Sequence, residues 1–425
     1  IVFLNNNNLQ SFQLFMNIAR IEAHILSCVM PDPVILPFKG GIRTIYKRDA
    51  LIIKVKTDNG LTGYGPGPAS EQMADKINGD LCKLLVGQSA KSIESLNKWI
   101  ASQGRADLLL PYGAINVALH DLLGKYEGCT ASELLGGRVQ ERLRLYGSAG
   151  MYQTPEKYAA EAAQVTALGF SAYKYRPALG PDEDLRTVQL MREAVGPDVG
   201  LCLDAHGWFR MGDESYTPKL VEEMAHEIAP YGITWLEEPL PPKDHASYAK
   251  LREKNIVPIA AGEHEISHQG FMNLIQNRCI DIVQADVTHH GGLDCIKKIL
   301  EACKSHKLEF AFHNWGTELE TIADAQVGAC FGKETASWLE YPCYSHRGQS
   351  IMYPFPLADE ILTEPLNIEK GNIVLPDEDG LGVMINEDIF DKYPYKPGPW
   401  STFQINSPPQ TLQLSGDHAM VWDSQ

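Results

Sequence analysis

Three carboxylates, Asp204, Glu237 and Glu263, each close a short apolar run: Leu201-Cys-Leu-Asp204, Thr234-Trp-Leu-Glu237 and Ile259-Ala-Ala-Gly-Glu263. Such runs bury the acid that ends them, and several uncompensated carboxylates in one apolar enclosure are strongly unfavourable. A hard divalent cation resolves the conflict. All-oxygen ligation with no cysteine nearby favours Mg²⁺ over zinc, with Mn²⁺ as the alternative. A cation held by three carboxylates keeps open positions for a substrate carboxylate and stabilises the charge of an enediolate as it develops.

Removing a proton alpha to a carboxylate also needs a base. Lys174 and Arg176, two residues apart in one extended run, point to the same side. Arg176 stays protonated and so suits binding a substrate carboxylate or hydroxyl. Asp286 and His313 close two further runs, and a carboxylate that orients an imidazole raises its basicity. Lys174 and His313 are thus the two candidate bases, with the His313–Asp286 dyad the better one. Glu340 closes the last run.

These residues need elements that bring them to one place. From about Asn17 to Asp58 the pattern reads as two strands around a polar loop, and from about Ala69 to Lys125 as helix, together an α+β module. Beyond Leu134-Leu-Gly-Gly137, short β-rich runs alternate with helical segments. The expected strands lie near 143–150, 171–176, 200–206, 233–238, 257–263, 280–286, 308–313 and 336–340. Thr154-Pro155 and Thr217-Pro218 place a capping hydroxyl before a proline at helix starts, and Gly169, Gly196 and Gly232 mark helix ends. Eight such units predict a closed parallel barrel with its chemistry at the strand C-terminal ends.

The expected fold class is therefore α/β, a modified TIM barrel of (β/α)7β type with an α+β N-terminal capping domain that the C-terminal segment completes. The expected divisions are residues 1–16 as an arm outside the fold, 17–140 as the capping domain, 141–363 as the barrel, and 364–425 as a tail packing back on the cap.

A chain of 425 residues with a net charge of −17 argues against nucleic acid as a partner and for a local cation if the substrate is a small anion. No run reaches the length of a membrane span, so no membrane partner is expected. The nine cysteines contain no Cys-x-x-Cys pair and read as reduced core thiols. The opening residues lack a secretory signal pattern, which makes the cytoplasm the expected location.

Taken jointly, Gly60-Leu-Thr-Gly-Tyr-Gly, Ala114 through Lys125, Lys174-Tyr-Arg176, Asp204-Ala-His206, Trp235-Leu-Glu-Glu-Pro239, Gly262-Glu-His-Glu265, Gln284-Ala-Asp286 with Gly291-Gly292, His313 and Trp338-Leu-Glu340 resemble the mandelate racemase subgroup of the enolase superfamily. A pattern of Lys or His bases with Mg²⁺ is described for that superfamily in general terms. The resemblance, over about Asn17 to Tyr393, implies Asp204, Glu237 and Glu263 as metal ligands, His313 with Asp286 as general base, and Glu340 as the acid that hydrogen-bonds the substrate carboxylate. Racemases of the family carry Lys-x-Lys where this chain has Lys174-Tyr-Arg176, which turns the expectation from two-base racemisation to one-base abstraction and loss of a β-hydroxyl.

Asp204-Ala-His206 is similar to acid-sugar dehydratases in which the His protonates the departing hydroxyl. The Gly-Glu-His-Glu run is similar to rhamnonate-type dehydratases and implies that His264 touches substrate. Trp315 is a candidate pocket wall, and His289, His290 and His346 are loop imidazoles near strand ends. The specificity loops of the family correspond to about Pro31 to Lys47, giving Phe38, Lys39 and Arg43 as candidate contacts. Asp286 stands where many cycloisomerases and dipeptide epimerases have Lys, which sets those classes aside. The resemblance implies an acid-sugar dehydratase that makes a 2-keto-3-deoxy acid from an aldonate or aldarate, assembled as a homo-oligomer. The alternatives are a racemase or epimerase of a 2-hydroxy acid, or a noncatalytic binding homologue.

Overall fold

In the computed structural model, residues 16–344, 351–406 and the backbone of Pro409–Leu414 are described; His346 lies outside them. Two sheets organise the chain. β1 (Ile18–Phe38) and β2 (Gly41–Thr57) form a long antiparallel hairpin, and β3 (Thr62–Gly67) pairs with the far end of β2. β4 (Arg142–Met151), β5 (Ala172–Arg176), β6 (Gly200–Asp204), β7 (Ile233–Glu237), β8 (Ile259–Ala261), β9 (Ile282–Ala285), β10 (Glu309–Phe312) and β11 (Ala336–Pro342) run parallel, each joined to the next by a helix, and β11 pairs back with β4. This is the closed eight-stranded barrel expected from the sequence.

The caps form for the reasons the sequence carries. Thr217 Oγ1 accepts from the Leu220 amide with Pro218 at the first helical position. Thr154 occupies the equivalent N-cap with extended backbone but makes no side-chain cap bond there. Inside the barrel, one layer takes a side chain from each strand: Tyr146, Ala172, Cys202, Trp235, Ala260, Ile282, Ala311 and Trp338. Large aromatics set against alanines fill the lumen, so the barrel has a packed floor rather than a channel.

The segment read as a polar loop, about Pro31 to Lys47, is instead the distal half of the β1–β2 hairpin, paired from Val34↔Ile45 to Phe38↔Gly41 beyond an irregularity between Val29 and Val34. Its partner supplies the reason. β14 (Ser401–Asn406) pairs with residues 41–45 of β2, and β15 (Pro409–Leu414) pairs with β14. The C-terminal segment is divided: β12 (Ile368–Glu369) and β13 (Asn372–Val374) form a small hairpin that lies antiparallel on barrel strand β4, while β14 completes the capping sheet.

The hairpin reaches over the C-terminal end of the barrel. The Lys39 amide donates to the Ala178 carbonyl at 2.7 Å. Gly40 takes a positive φ of 91° at the tip, and a Cβ there would lie 2.4 Å from the Met211 carbonyl oxygen. Behind it the buried helix Leu109–Glu127 docks on the barrel, where Gly113 meets Gly291 and Gly292, and Asn97 and Asn116 each donate to Asp294 at 2.7 Å. Among the described residues no helix is long and apolar enough to cross a membrane.

A methyl group at Gly113 would sit 2.5 Å from Gly291 backbone atoms. Gly113→Ala should therefore cost about 1–3 kcal/mol in chemical denaturation. Gly79→Ala, with open space around it, should be neutral or stabilise by up to about 1 kcal/mol.

Candidate active site

Lys174 and Arg176, on the inward face of β5, pair with the acids of neighbouring strands. Lys174 Nζ, fully buried, contacts Glu237 Oε1 at 2.8 Å, Glu340 Oε2 at 3.0 Å and Asp204 Oδ2 at 3.6 Å. Burial opposes its charge, but Glu237, Glu340 and Asp204 outweigh that and raise its pKa. It is held as a cation. Arg176 lies 3.1 Å from Asp204 Oδ2 through Nε and 3.3 Å from Glu340 Oε1 through Nη2, and its guanidinium stacks 3.9 Å over the Trp315 ring. Trp315 thus walls this side of the mouth.

Glu340 accepts from the Tyr146 hydroxyl and the Asn314 amide, both at 3.1 Å. Glu237 accepts from the Trp235 indole at 3.0 Å. The aromatic floor and the charged layer above it are therefore one hydrogen-bonded unit.

Opposite lies the dyad. Asp286 Oδ2 is 2.8 Å from His313 Nδ1, and Asp286 Oδ1 accepts from the His289 amide at 2.6 Å and contacts His289 Nδ1 at 3.0 Å. Burial disfavours the Asp286 charge, but His289, His290 and His313 hold its pKa well below the ordinary value. His313 Nδ1–H donates to this carboxylate, which turns Nε2 towards Glu263 Oε2 at 3.4 Å. For His313, burial lowers the pKa while the Asp286 hydrogen bond and the charges of Glu340 and Asp286 raise it further, so the net shift is upward. His290 bridges backbone instead, accepting from the Asp286 amide at 3.0 Å and contacting the Glu263 carbonyl at 3.2 Å.

Glu263 stands among three imidazoles: His264 Nδ1 at 3.2 Å, His313 Nε2 at 3.4 Å and His206 Nδ1 at 3.9 Å. Burial, then Asp204, Glu238 and Glu237, push its pKa well up. The mouth carries more negative charge than its own cations neutralise. Asp204 Oδ2 is buried without a hydrogen-bond partner, its contacts being the ion pairs with Lys174 and Arg176. Single ligand atoms from Asp204, His206 and Glu263 converge within 4.8 Å of one another. The two carboxylates of this set suit a hard divalent cation, whereas the imidazole of His206 is not an oxygen donor.

Glu237 does not converge with them, because its two oxygens serve Lys174 and Trp235. The neighbouring Glu238, at the same strand end, joins Glu263 and His264 in a second such group, on a backbone held at φ 39°. A non-glycine residue in that region is strained, and strain of this kind concentrates at functional sites.

His206 Nδ1 lies 2.5 Å from Asp204 Oδ1, yet burial pushes its pKa down to about 3. It rests neutral. His264 has both nitrogens engaged: Nδ1 with Glu238 Oε2 and Nε2 with Arg210 Nη2 at 2.8 Å. Because Arg210 can only donate, Nε2 accepts and the proton sits on Nδ1. Of the hairpin candidates, Arg43 is buried between Trp400 and Phe403, Phe38 packs on Tyr152, and Lys39 turns to Glu214 at 3.1 Å. Arg210 and Tyr152 also reach the mouth; they sit in irregular backbone with no periodic signal to mark them.

With this geometry in view, the relatives agree. Residues 23–136 match the family described as mandelate racemase / muconate lactonizing enzyme, N-terminal domain, and residues 157–389 match the enolase C-terminal domain-like family. The chain belongs to the mandelate racemase / muconate lactonizing enzyme family of the enolase superfamily. It is 29% identical to the D-galactarolactone cycloisomerase of Agrobacterium fabrum, covering 89% of this chain and 99% of that protein. It is 28% identical to the D-galactonate dehydratase of Xanthomonas campestris pv. campestris, covering 82% and 92%. The crystal structure of the 3,6-anhydro-D-galactonate cycloisomerase from Zobellia galactanivorans superposes with a TM-score of 0.76 at 28% identity, covering 89% of this chain and all of that one. Cycloisomerases among the relatives bring back a class that Asp286 had set aside.

The dyad generates a titration prediction. In protein stripped of divalent cations, His313 should stay protonated above pH 6.5, and Asp286→Asn should move its NMR titration downward. Because the folded pKa lies above the unfolded one, the stability from this pair is full below about pH 6.5 and is lost as pH rises through the folded pKa.

Proposed function

We propose that this protein removes the proton alpha to the carboxylate of an acid sugar, with His313 as base, and expels the β-oxygen to yield a 2-keto-3-deoxy acid. The observation that carries this reading is the Asp286–His313 pair at 2.8 Å, which turns Nε2 into the barrel mouth, 3.4 Å from Glu263 Oε2. Lys174, clamped by three acids, is the wrong species to accept a proton. That supports one-base chemistry over two-base racemisation.

Asp204 and Glu263, with Glu237 or Glu238 as the third carboxylate, would hold Mg²⁺, which when bound supplies positive charge to the enediolate oxygens. Arg176 and Lys174 orient the substrate carboxylate against Glu340, and Trp315 excludes water from that side. His206, kept neutral at rest by burial despite its bond to Asp204, faces the departing oxygen and donates to it once charged.

A second reading keeps the same abstraction and changes what leaves. Two relatives are named as cycloisomerases, and a ring oxygen at the β-carbon can depart as a hydroxyl does, the ring opening without loss of water. Mass analysis separates the two: a hydroxyl acid loses water, while a cyclic acid isomerises at constant mass.

With aldonates, aldarates and their cyclic forms as substrates, His313→Asn should abolish both α-proton exchange in D₂O and turnover. His206→Asn should lower product formation about 100-fold, the scale of one general acid, while sparing exchange. Exchange that survives in His313→Asn would remove His313 from the base role. Mg²⁺ at about a hundred times its Kd should stabilise the fold by about 2.7 kcal/mol in thermal denaturation; chelator should reverse this, and Asp204→Asn with Glu263→Gln should abolish it.

A further inference from the structure

Arg43 and Arg210 are nearly enclosed, at 6% and 4% exposure, and among the described residues neither has a carboxylate within ion-pair distance. Arg43, delivered by the capping hairpin, donates from Nη1 to Met151 Sδ at 3.1 Å and lies 4.7 Å from the Trp400 ring and 5.0 Å from the Phe403 ring. Arg210, from the loop after β6, donates from Nη2 to His264 Nε2. The Nε atom of each is buried without a hydrogen-bond partner. Aromatic faces and a thioether soften the burial of a cation but supply no counter-charge, and an unpaired buried charge is costly. Although burial pushes Arg43 down to about 10, it remains a cation at neutral pH.

Tyr152 ties this pair to the reacting end. It follows β4 with φ at 52°, a strained position for an aromatic residue. Its buried phenol feels the charges of Arg43 and Arg210 on one hand and of Asp204 and Arg176 on the other. The Tyr353 hydroxyl, also buried without a partner, acts on Arg43 as well. One imidazole ring, that of His264, separates Glu263 from Arg210, with contacts of 3.2 Å and 2.8 Å. That is the scale of a short acid-sugar chain.

We propose that Arg43 and Arg210 bind a second carboxylate at the end of the substrate remote from the carbon that loses its proton, so that the preferred substrate is a dicarboxylic sugar acid or its cyclic form. The inference rests on the acid-sugar reading above and narrows it. A substrate ending in a hydroxyl would leave both guanidiniums without a directly bonded anion, Arg210 feeling Glu238, Glu263 and Asp204 only through space, whereas a carboxylate would accept from both. His264, braced by Glu238, acts as a positioning residue for Arg210.

The test compares galactarate with galactonate, which differ only in the terminal carboxyl, by calorimetric titration with Mg²⁺ into His313→Asn protein so that nothing turns over. Galactarate should bind about 30-fold or more tightly, the scale of a buried charge pair, and adding Arg43→Gln or Arg210→Gln should erase that difference. Arg43→Lys should retain part of it, and circular dichroism melts establish that each variant is folded. Equal binding of the two acids by the parent, or an equal loss for both in Arg43→Gln, overturns the proposal. Exchange in D₂O by the unmodified enzyme keeps the two readings apart. If no acid exchanges its α-proton but galactarate binds through Arg43, the proposed reaction fails and the diacid site stands; if exchange occurs without diacid preference, the site alone falls.

Discussion

The structure turns on an excess of buried negative charge at one end of the barrel. Asp204, Glu237, Glu238, Glu263, Asp286 and Glu340 are all buried at the strand ends, where an unpaired carboxylate is expensive. Each acid has its own answer to that cost. Glu237 and Glu340 take Lys174 and the hydroxyl and indole of the aromatic floor. Asp286 takes three histidines and its own backbone turn. Asp204 takes His206, Lys174 and Arg176, which hold its pKa well below the ordinary value. Glu263 is the least satisfied, pushed well up by burial and its acidic neighbours, and a cation beside it would complement the rest.

This division also sorts the histidines. His313 and His206 each give Nδ1 to a carboxylate, yet their proton affinities diverge, raised for His313 and pushed to about 3 for His206. The Arg176 and Arg210 cations lie near His206, while Glu340 and Asp286 act on His313. Burial outweighs Asp204 at His206, while the carboxylates outweigh burial at His313; in the proposed reaction the two would take opposite tasks, one accepting a proton and one giving it.

Much of this was legible in the chain because the barrel imposes a simple rule: an apolar run, then the polar residue that ends it. The rule gave the strand order and placed Asp204, Glu263, Asp286, His313 and Glu340 at one mouth. It could not resolve a one-residue choice such as Glu237 against Glu238, which depends on the positive φ at Glu238 and on where Lys174 reaches. Nor could it show that residues 31–47 extend the hairpin as paired strand, because the edge that covers residues 41–45, β14, lies some 350 residues away in sequence. Arg210 and Tyr152 escaped because irregular backbone carries no period, and His264 showed its type but not that Glu238 and Arg210 would occupy both nitrogens.

Abstraction and specificity therefore have different structural origins. His313, the buried acids and the floor all stand on or at the ends of barrel strands whose register is fixed by closure, so relatives that share the barrel could share the proposed proton transfer. Arg43 and Arg210, proposed for the far end of the substrate, come from the capping hairpin and the loop after β6, and the two meet where Gly40 packs on Met211. Arg43 is placed by a strand pairing between the two ends of the chain, which leaves the barrel unchanged if it varies. A family built this way can keep one enolisation step while changing whether a hydroxyl or a ring oxygen departs, and whether the remote end of the substrate carries charge.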